Sequence, residues 1–391
     1  MILRPLYRGQ DLPTSLAVDM NAAAPTGITV PHSTTFDLGS TSFSLPFWAT
    51  LDDSTPGVAQ SIYLKYQDAS NYWELRVNTN GTLQFVAVVA AVTIISVSST
   101  ASIESGVIFG ALCVTRESAS VAGSVVFITN RAQLGTSVAI TAAAPPTISN
   151  TGILYLAGTN AAGSDMTIRA VYPYNRELLL ADINTLENTG IVSADVGATQ
   201  TPVYASDFSV GADGWTGSNY TVVGNIDAIL GVDNVLRCTC SNTGTGRRIL
   251  RTVALTLGKR YRITMDVYFP VANAAVDSFL ITNEAAVTLG TGTLKTNQPE
   301  GSWLTTTVEF VSAVNATGIR IYTGTTASTS SSSTINDIMY IASFKLEQIG
   351  CILNLEPTGI AADNLTWTDS SGNANNATLP ASGAAKVTLR K

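Results

Sequence analysis

Short runs in which hydrophobic and polar residues alternate recur along the whole chain. Clusters of Gly, Asn, Asp and Pro separate them. Period-two alternation marks a half-buried strand, because successive side chains point to opposite faces. The runs TLQFVAVVA (82–90), SVVFITN (124–130), GILYLAG (152–158), YRITMDVYF (261–269), LTTTVEFV (304–311), GIRIYTG (318–324) and MYIASFKLEQ (339–348) read as strands. Between YWELRV and TLQFV, TNG at 79–81 predicts a hairpin turn. One segment has helical spacing. In 177–187, ELLLADINTLE, the residues Leu178, Ile183 and Leu186 lie near one face, and Asn188-Thr189-Gly190 reads as a stop. The pattern predicts an all-β chain of two β-sandwich domains in tandem, with the helix closing the first.

Patterning also divides the chain. Residues 1–30 are loosely patterned and are expected to dock onto something else. A strand-rich block spans 31–188, a linker 189–204, and a second strand-rich block 205–350. The polar stretch at 325–338 reads as a loop inside that second block, because a strand follows it. Residues 351–391 hold strand-like ILNLE and Trp367 but too few apolar positions for their own core. They are expected to pack on the second sandwich or on another subunit.

Composition narrows the function. Charged residues make up 13% of the 391, about half the usual share, while hydrophobic residues reach 45%, enough to fill cores. The balance is acidic, with 21 Lys+Arg against 28 Asp+Glu. A nucleic-acid binder would carry a basic stripe, and an acidic surface gives no support to binding anionic membranes. The longest apolar stretch, at 85–97, falls well short of the roughly 20 residues of a membrane span. The opening MILRPLYRGQDLPTSL has no apolar core of a secretory signal, so none is expected. The single histidine, His32, argues against a His-based metal site or a Ser-His triad. Cys238 and Cys240 share one strand face, with Cα atoms at the upper limit for a disulfide, and are expected to stay reduced.

The residues TTFDLGSTSFSLPFWATL (34–51), YWELRVNTNGTLQFV (72–86) and ILYLAGTNAAGSDMTIRAVYPYNRELLLADINTL (153–186) resemble the laminin-G-like, concanavalin-type jelly roll. The second block resembles a carbohydrate-binding-module type of jelly roll, galactose-binding-like. It does so through SDFSVGADGWTGSN (206–219), RILRTVALTLGKRYRITMDVYF (248–269) and GSWLTTTVEFVSAVNATGIRIYTG (301–324). The stretch 353–379 resembles one that recurs in phage tail proteins, where it commonly precedes another laminin-G-like module. The combination resembles a bacteriophage virion protein such as a tail or head fibre or a receptor-binding component. That resemblance implies a structural and adhesive role in the virion, after synthesis in the host cytoplasm. It implies contacts with other virion proteins and host-surface glycans, and assembly as a homo-oligomer, by analogy a trimer. A non-catalytic bacterial carbohydrate-binding protein is the alternative.

Aromatic faces can stack on sugar rings. Trp48 and Trp73 are expected to face the core, Trp303 to pack in the second sandwich and Trp367 to anchor the C-terminal segment. Tyr63 and Tyr72 are candidates for a ligand-binding face; Trp215, after an Asp-Gly turn, is expected first in the core, with a ligand-binding rim position as the alternative. Glycoside hydrolysis needs two carboxyl groups flanking the bond. The E-x-D-x-x-E run of related glucanases is absent and Asp52, Asp53 and Glu74 are isolated, so no enzyme activity is expected. No cofactor is required; calcium at loop carboxylates is the one metal considered, with Asp165 and Asp213 as candidates and Asp363 in a similar loop. The cluster Arg247, Arg248 and Arg251 reads as a solvated strand edge that discourages unwanted pairing, with binding of an acidic glycan or a partner's carboxylate as the alternative.

Overall fold

A computed structural model describes residues 15–20, 26–38, 42–51, 53–104, 106–115, 123–140, 148–162, 164–189, 191, 193–198, 202–242, 246–273, 278–283, 294–295, 299–324, 334–361, 365–380 and 385–390. The chain forms two compact units. The first gathers 1–192, 196–200 and 350–391; the second holds 193–195 and 201–349. Both are antiparallel β-sandwiches of the jelly-roll class, with a single α-helix among the described residues.

In the first unit, sheet A runs in the order Ala132–Gln133, Gly123–Thr129, Gly106–Thr115, Phe43–Leu51, Met166–Val171, Ser15–Met20, Ala385–Arg390. Sheet B runs Thr366–Trp367, Ala377–Thr378, Ile28–Val30, Ile153–Leu156, Gln60–Asp68, Asn71–Val77, Thr82–Val89, Val92–Ser102. Their facing side chains, among them Phe43, Phe47, Trp73, Phe85, Phe127 and Trp367, form one core. Gly110 lies opposite Phe47 because a Cβ there would sit 2.3 Å from the ring.

Three expectations change here. Ser15–Met20 and Ile28–Val30 are strands of the sandwich, so the proposed docking segment 1–30 is part of the fold over its described residues. The C-terminal segment 351–391 belongs to neither the second sandwich nor a new module. It supplies strands to both sheets of the first unit, and Ile352, Leu353, Leu355, Trp367 and Leu379 join that core. Its apolar residues are too scattered to reveal a partner by period alone. Thirdly, Trp48 points away from the core. Phe43, Leu45 and Phe47 take the inner positions, so alternation sends Trp48 to the opposite face of sheet A, 4.8 Å from the Phe109 ring.

That opposite face is covered by the helix Leu180–Thr189. Leu178, Ile183 and Leu186 are buried beside Phe109, Ile128 and Tyr172. The helix starts three residues later than its hydrophobic pattern. Leu179 occupies the cap position, its carbonyl accepting the N–H of Ile183 at 3.0 Å. Asp182 reaches back to accept the Leu179 N–H at 3.1 Å, half of a capping box.

The second unit is formed by one nearly continuous stretch. Sheet C runs Tyr220–Ile226, Val235–Cys240, Ile338–Gln348, Arg260–Tyr268, Trp303–Val311, with Tyr204–Ser206 also on Ile338–Gln348. Sheet D runs Trp215–Ser218, Arg248–Leu255, Ala316–Gly324, Ser278–Asn283, Leu294–Lys295. Ile263, Met265 and Val267 from sheet C meet Ile249, Ile319 and Ile321 from sheet D. Cys238 and Cys240 both face this core, and burial pushes both thiols up.

Candidate functional site

The outer face of sheet B holds part of the expected ligand surface. Tyr72 is half-buried there, its ring 6.3 Å from that of Tyr66, its cross-strand partner. Tyr63 is not there. It is fully buried, its ring 6.5 Å from Phe47 and its hydroxyl donating to the Pro46 carbonyl at 2.5 Å. Burial pushes its phenol well above the usual tyrosine range. The cause is a β-bulge: the pairing shifts between Ser61 and Tyr63, so Ile62 and Tyr63 both join the core. Tyr66 takes the place expected for Tyr63.

Glu74 lies on the same outer face. Its carboxylate accepts from the Ser61 hydroxyl and from Arg76 Nη1 at 3.1 Å. Asp53 accepts from the Thr55 amide at 2.8 Å and Thr55 Oγ1 at 3.2 Å. Both Glu74 oxygens are engaged in structural contacts, and both Asp53 bonds fall on its Oδ1. Asp52 lies outside the described residues.

In the second unit, Trp215 and Asp213 come together through Tyr204. Asp213 and Gly214 have φ of 45° and 75°, and the Trp215 amide closes the turn on the Ala212 carbonyl at 2.9 Å. Two consecutive left-handed residues suit Asp-Gly. The turn drives Trp215 inward rather than to a rim: it is 3% exposed, in edge contact with Phe344 at 5.0 Å. Its indole N–H donates to the Tyr204 hydroxyl at 3.0 Å, and that hydroxyl donates to Asp213 Oδ2 at 2.8 Å. Arg251 stacks 4.3 Å over the Tyr204 ring and Arg248 5.8 Å from Tyr322. These guanidinium groups therefore lie against aromatic rings, not simply in solvent.

Beside this cluster lies a groove of about 600 Å³, lined by Asp207, Val210, Asp213, Thr264, Ser343 and Lys345 among others. Farther along the same face is an arrangement the sequence did not disclose. Trp303, Tyr268 and Tyr340 are directly opposite one another on three adjacent strands. Their chain neighbours Leu304, Val267, Met339 and Ile341 pack toward the core, so the rings lie on the outer face of sheet C. Tyr268 is centred, 5.5 Å from Trp303 and 5.8 Å from Tyr340. The Trp303 indole N–H donates to the Ile229 carbonyl at 3.0 Å, which fixes that ring. Trp303 thus begins a strand as expected but does not fill the interior. Two residues along, Asp266 accepts from Thr305 Oγ1 at 2.5 Å and Ser343 Oγ at 2.7 Å.

The strand pattern R-I-T-M-D-V-Y at 262–268 did show which residues alternate outward. It held no sign that Tyr268 would meet Trp303 and Tyr340, because register is set by pairing over long separations.

The metal candidates belong to different units. Asp165 is exposed on the first unit, Asp213 is tied to Tyr204 on the second, and Asp363 lies outside the described residues. Among the described residues no three His, Cys, Asp or Glu side chains gather to hold a metal. Asp369 is a heavily bonded loop carboxylate. It accepts from the Asn354, Ser371 and Asn375 amides and from Ser371 Oγ at 2.8–2.9 Å.

No family model matches this chain, and no curated protein matches it. Solved structures with related shape include domains LG4-5 of the mouse laminin alpha1 chain. That match has 14% identity, covers 86% of this chain and 90% of that one, and has a TM-score of 0.32. The CBM22-1–CBM22-2 tandem domain of Paenibacillus barcinonensis Xyn10C matches at 14% identity over 85% and 91%, TM-score 0.31. A heptameric SAP-like pentraxin from Limulus polyphemus matches at 13% over 44% and 82%, TM-score 0.30. Likenesses this distant carry no weight for ligand or role.

Proposed function

We propose that this chain is a non-catalytic adhesive subunit of a bacteriophage virion, part of a tail or head fibre or receptor-binding component, that engages glycans on the host surface. The observation that carries the binding half is the Trp303–Tyr268–Tyr340 row on the outer face of sheet C, the same sheet that supplies Thr264, Ser343 and Lys345 to a groove of about 600 Å³. Trp303 and Tyr268 are half-buried and Tyr340 is buried, with ring planes tilted by 39° and 35°, so two partly exposed aromatic faces stand beside polar groups, the combination a sugar's C–H face and hydroxyls require. The virion half is supported by the laminin-G-like and carbohydrate-binding-module-like motifs and by the phage-tail-like stretch 353–379. The unusually low charge, 13% of residues, favours association into a homo-oligomer, with a trimer by analogy.

The test has two arms. The protein should appear by mass spectrometry in purified phage particles. On a glycan array the full chain should bind, and Tyr268→Ala should lose that binding. Presence only in bacterial culture medium removes the virion reading. An array with no signal removes the glycan reading.

A further inference from the structure

A short strap of chain lies across the outer face of sheet C. Residues 227–234 join the strands Tyr220–Ile226 and Val235–Cys240, whose last pair is Ile226 with Val235. Beyond that pair the strap folds on itself. Ile229 and Val232 exchange both backbone bonds, at 2.9 and 3.1 Å, around Leu230 and Gly231. These two residues have φ of 51° and 81°, the left-handed pair of a two-residue hairpin turn. The strap is thus a hairpin complete in its own backbone bonds. Two joints set it off from the sheet. Asn225 and Asn234 are left-handed as well, with φ of 52° and 60°, a conformation that asparagine visits more readily than most residues. Asn225 also lies where the pairing shifts between Val223 and Ile226, so a β-bulge interrupts the ladder at that root.

Among the described residues one hydrogen bond ties this hairpin to the rest of the sheet: the Ile229 carbonyl accepts the Trp303 indole N–H at 3.0 Å. Trp303 is on the far edge of sheet C, three strand positions from Val235–Cys240. To reach it the hairpin passes over Ile338–Gln348, the strand that carries Tyr340. Tyr340 is 9% exposed on that outer face, whereas Tyr268 and Trp303 are half-buried. The hairpin itself is lightly held. Asp227, Leu230 and Asp233 are exposed, and Ile229 and Val232 lie outside the core. Segments with so little burial open first. We propose that residues 227–233 are a lid latched over the aromatic row, and that lid and ligand compete for the rings. The competition rests on the glycan reading; the lid does not. Opening asks little of the protein. The Ile229 carbonyl keeps its Val232 partner, and the freed indole N–H can donate to a ligand hydroxyl. Closed, the lid covers aromatic area that would otherwise invite association.

Two full-length variants open the lid in different ways. Trp303→Phe keeps a ring but loses the latch donor. In the other, residues 227–234 are replaced by Asn-Gly, which joins Ile226 to Val235 by a two-residue turn and removes the lid. The first readout needs no ligand: nitration by tetranitromethane, mapped by mass spectrometry. Tyr340 should react about fivefold faster in Trp303→Phe, the factor one hydrogen bond is worth, and faster still without the lid. Tyr322, 2% exposed on sheet D, should stay protected in every chain and so report an intact fold. The second readout is a glycan array probed at graded protein concentrations. There the lidless chain, which keeps all three rings, should half-saturate at about fivefold lower concentration than the unaltered one. Equal reactivity of Tyr340 in all three chains overturns the lid. Faster nitration with weaker array binding by the lidless chain overturns the competition, because the hairpin would then belong to the binding surface. Faster nitration with no array signal from any chain removes the glycan reading and the competition with it, while the lid stands.

Discussion

The two sandwiches reach similar architecture by opposite routes. The second folds from nearly uninterrupted sequence, with its strands drawn from 204–348. The first is closed only when residues 350–390 return to it, pairing Ala385–Arg390 with Ser15–Met20 and Ala377–Thr378 with Ile28–Val30. The contrast separates sequence blocks from folding units. A block boundary marks where strand patterning pauses; a unit is defined by which apolar residues exclude water together. Here residues between Ile352 and Leu379 complete the first core.

Removing residues 349–391 breaks this contrast most severely. The deletion takes out Ile352, Leu353, Leu355, Trp367 and Leu379, all at most 2% exposed, with the end strand of sheet A and the two end strands of sheet B. Each large buried apolar side chain contributes about 1.5–3 kcal/mol, and a whole domain is stable by about 5–15 kcal/mol. The first unit is expected to unfold while the second retains its transition. Calorimetry on the truncated chain checks this, and two intact transitions would contradict the interwoven first core.

Trp367→Ala asks the same question with one side chain. The indole is fully buried, with its N–H donating to the Glu356 carbonyl at 2.6 Å. Truncation of a buried Trp costs about 3–5 kcal/mol. Trp215→Ala, in the second unit, should cost a similar amount. Each should lower only its own unit's denaturant midpoint; movement of both midpoints by either variant would mean the units unfold as one.

Much of this was legible beforehand. Alternation located the strands, and the triad Leu178, Ile183, Leu186 identified the buried helix face. What the pattern hid has specific causes. The bulge at Ile62–Tyr63 puts two successive residues on one face, which period-two reading cannot represent. Trp48 lies away from the first core because Phe43, Leu45 and Phe47 hold one parity of FSLPFW and Ser44, Pro46 and Trp48 the other; the size of the indole suggests the core, and the strand's alternation overrules it. The Trp303–Tyr268–Tyr340 row needs strands far apart in sequence to be in register, which no local window contains.

Lys65 is a further hidden feature and sharpens the comparison, because the first unit carries a charge in its core. Its side chain is fully buried and its ammonium lies 2.5 Å from Asp37 Oδ1. Asp37→Ala leaves that ammonium unpaired and should cost the first unit about 3 kcal/mol. Lys65→Met should be neutral or stabilising near neutral pH, because a thioether replaces a desolvated charge. Burial, opposed by Asp37, lowers the Lys65 pKa from 10.5. The folded state therefore releases this proton more readily than the unfolded state. The group's contribution to stability is fully present above 10.5 and declines as pH falls through the lowered folded value. Any advantage of Lys65→Met at neutral pH should shrink as pH rises toward that range. Urea denaturation of both proteins across that span measures it, and an advantage that grows would reverse the assignment.

The smallest expected effect concerns the place where the chain leaves the first unit and comes back. Asn373 Nδ2 lies 2.7 Å from the Ala198 carbonyl on the outgoing segment and 3.1 Å from the Ile352 carbonyl on the returning one. One amide thus ties together two segments separated by the whole second unit in sequence. The Gly197 amide adds a bond to the Ser371 carbonyl at 2.7 Å, so the tie has support when Asn373 is lost. A hydrogen bond contributes about 0.5–1.5 kcal/mol net. Asn373→Ala should therefore lower the first unit's stability by about 1–2 kcal/mol and leave the second unit's transition unchanged, because the latter's core contains none of these groups. Hydrogen exchange locates the effect: faster exchange at the Gly197, Ile352 and Ser371 amides, with protection of the strand Arg260–Tyr268 unaltered. Equal loss of protection in that strand would mean the second sandwich depends on the closure of the first, and the two routes to a sandwich would then be one.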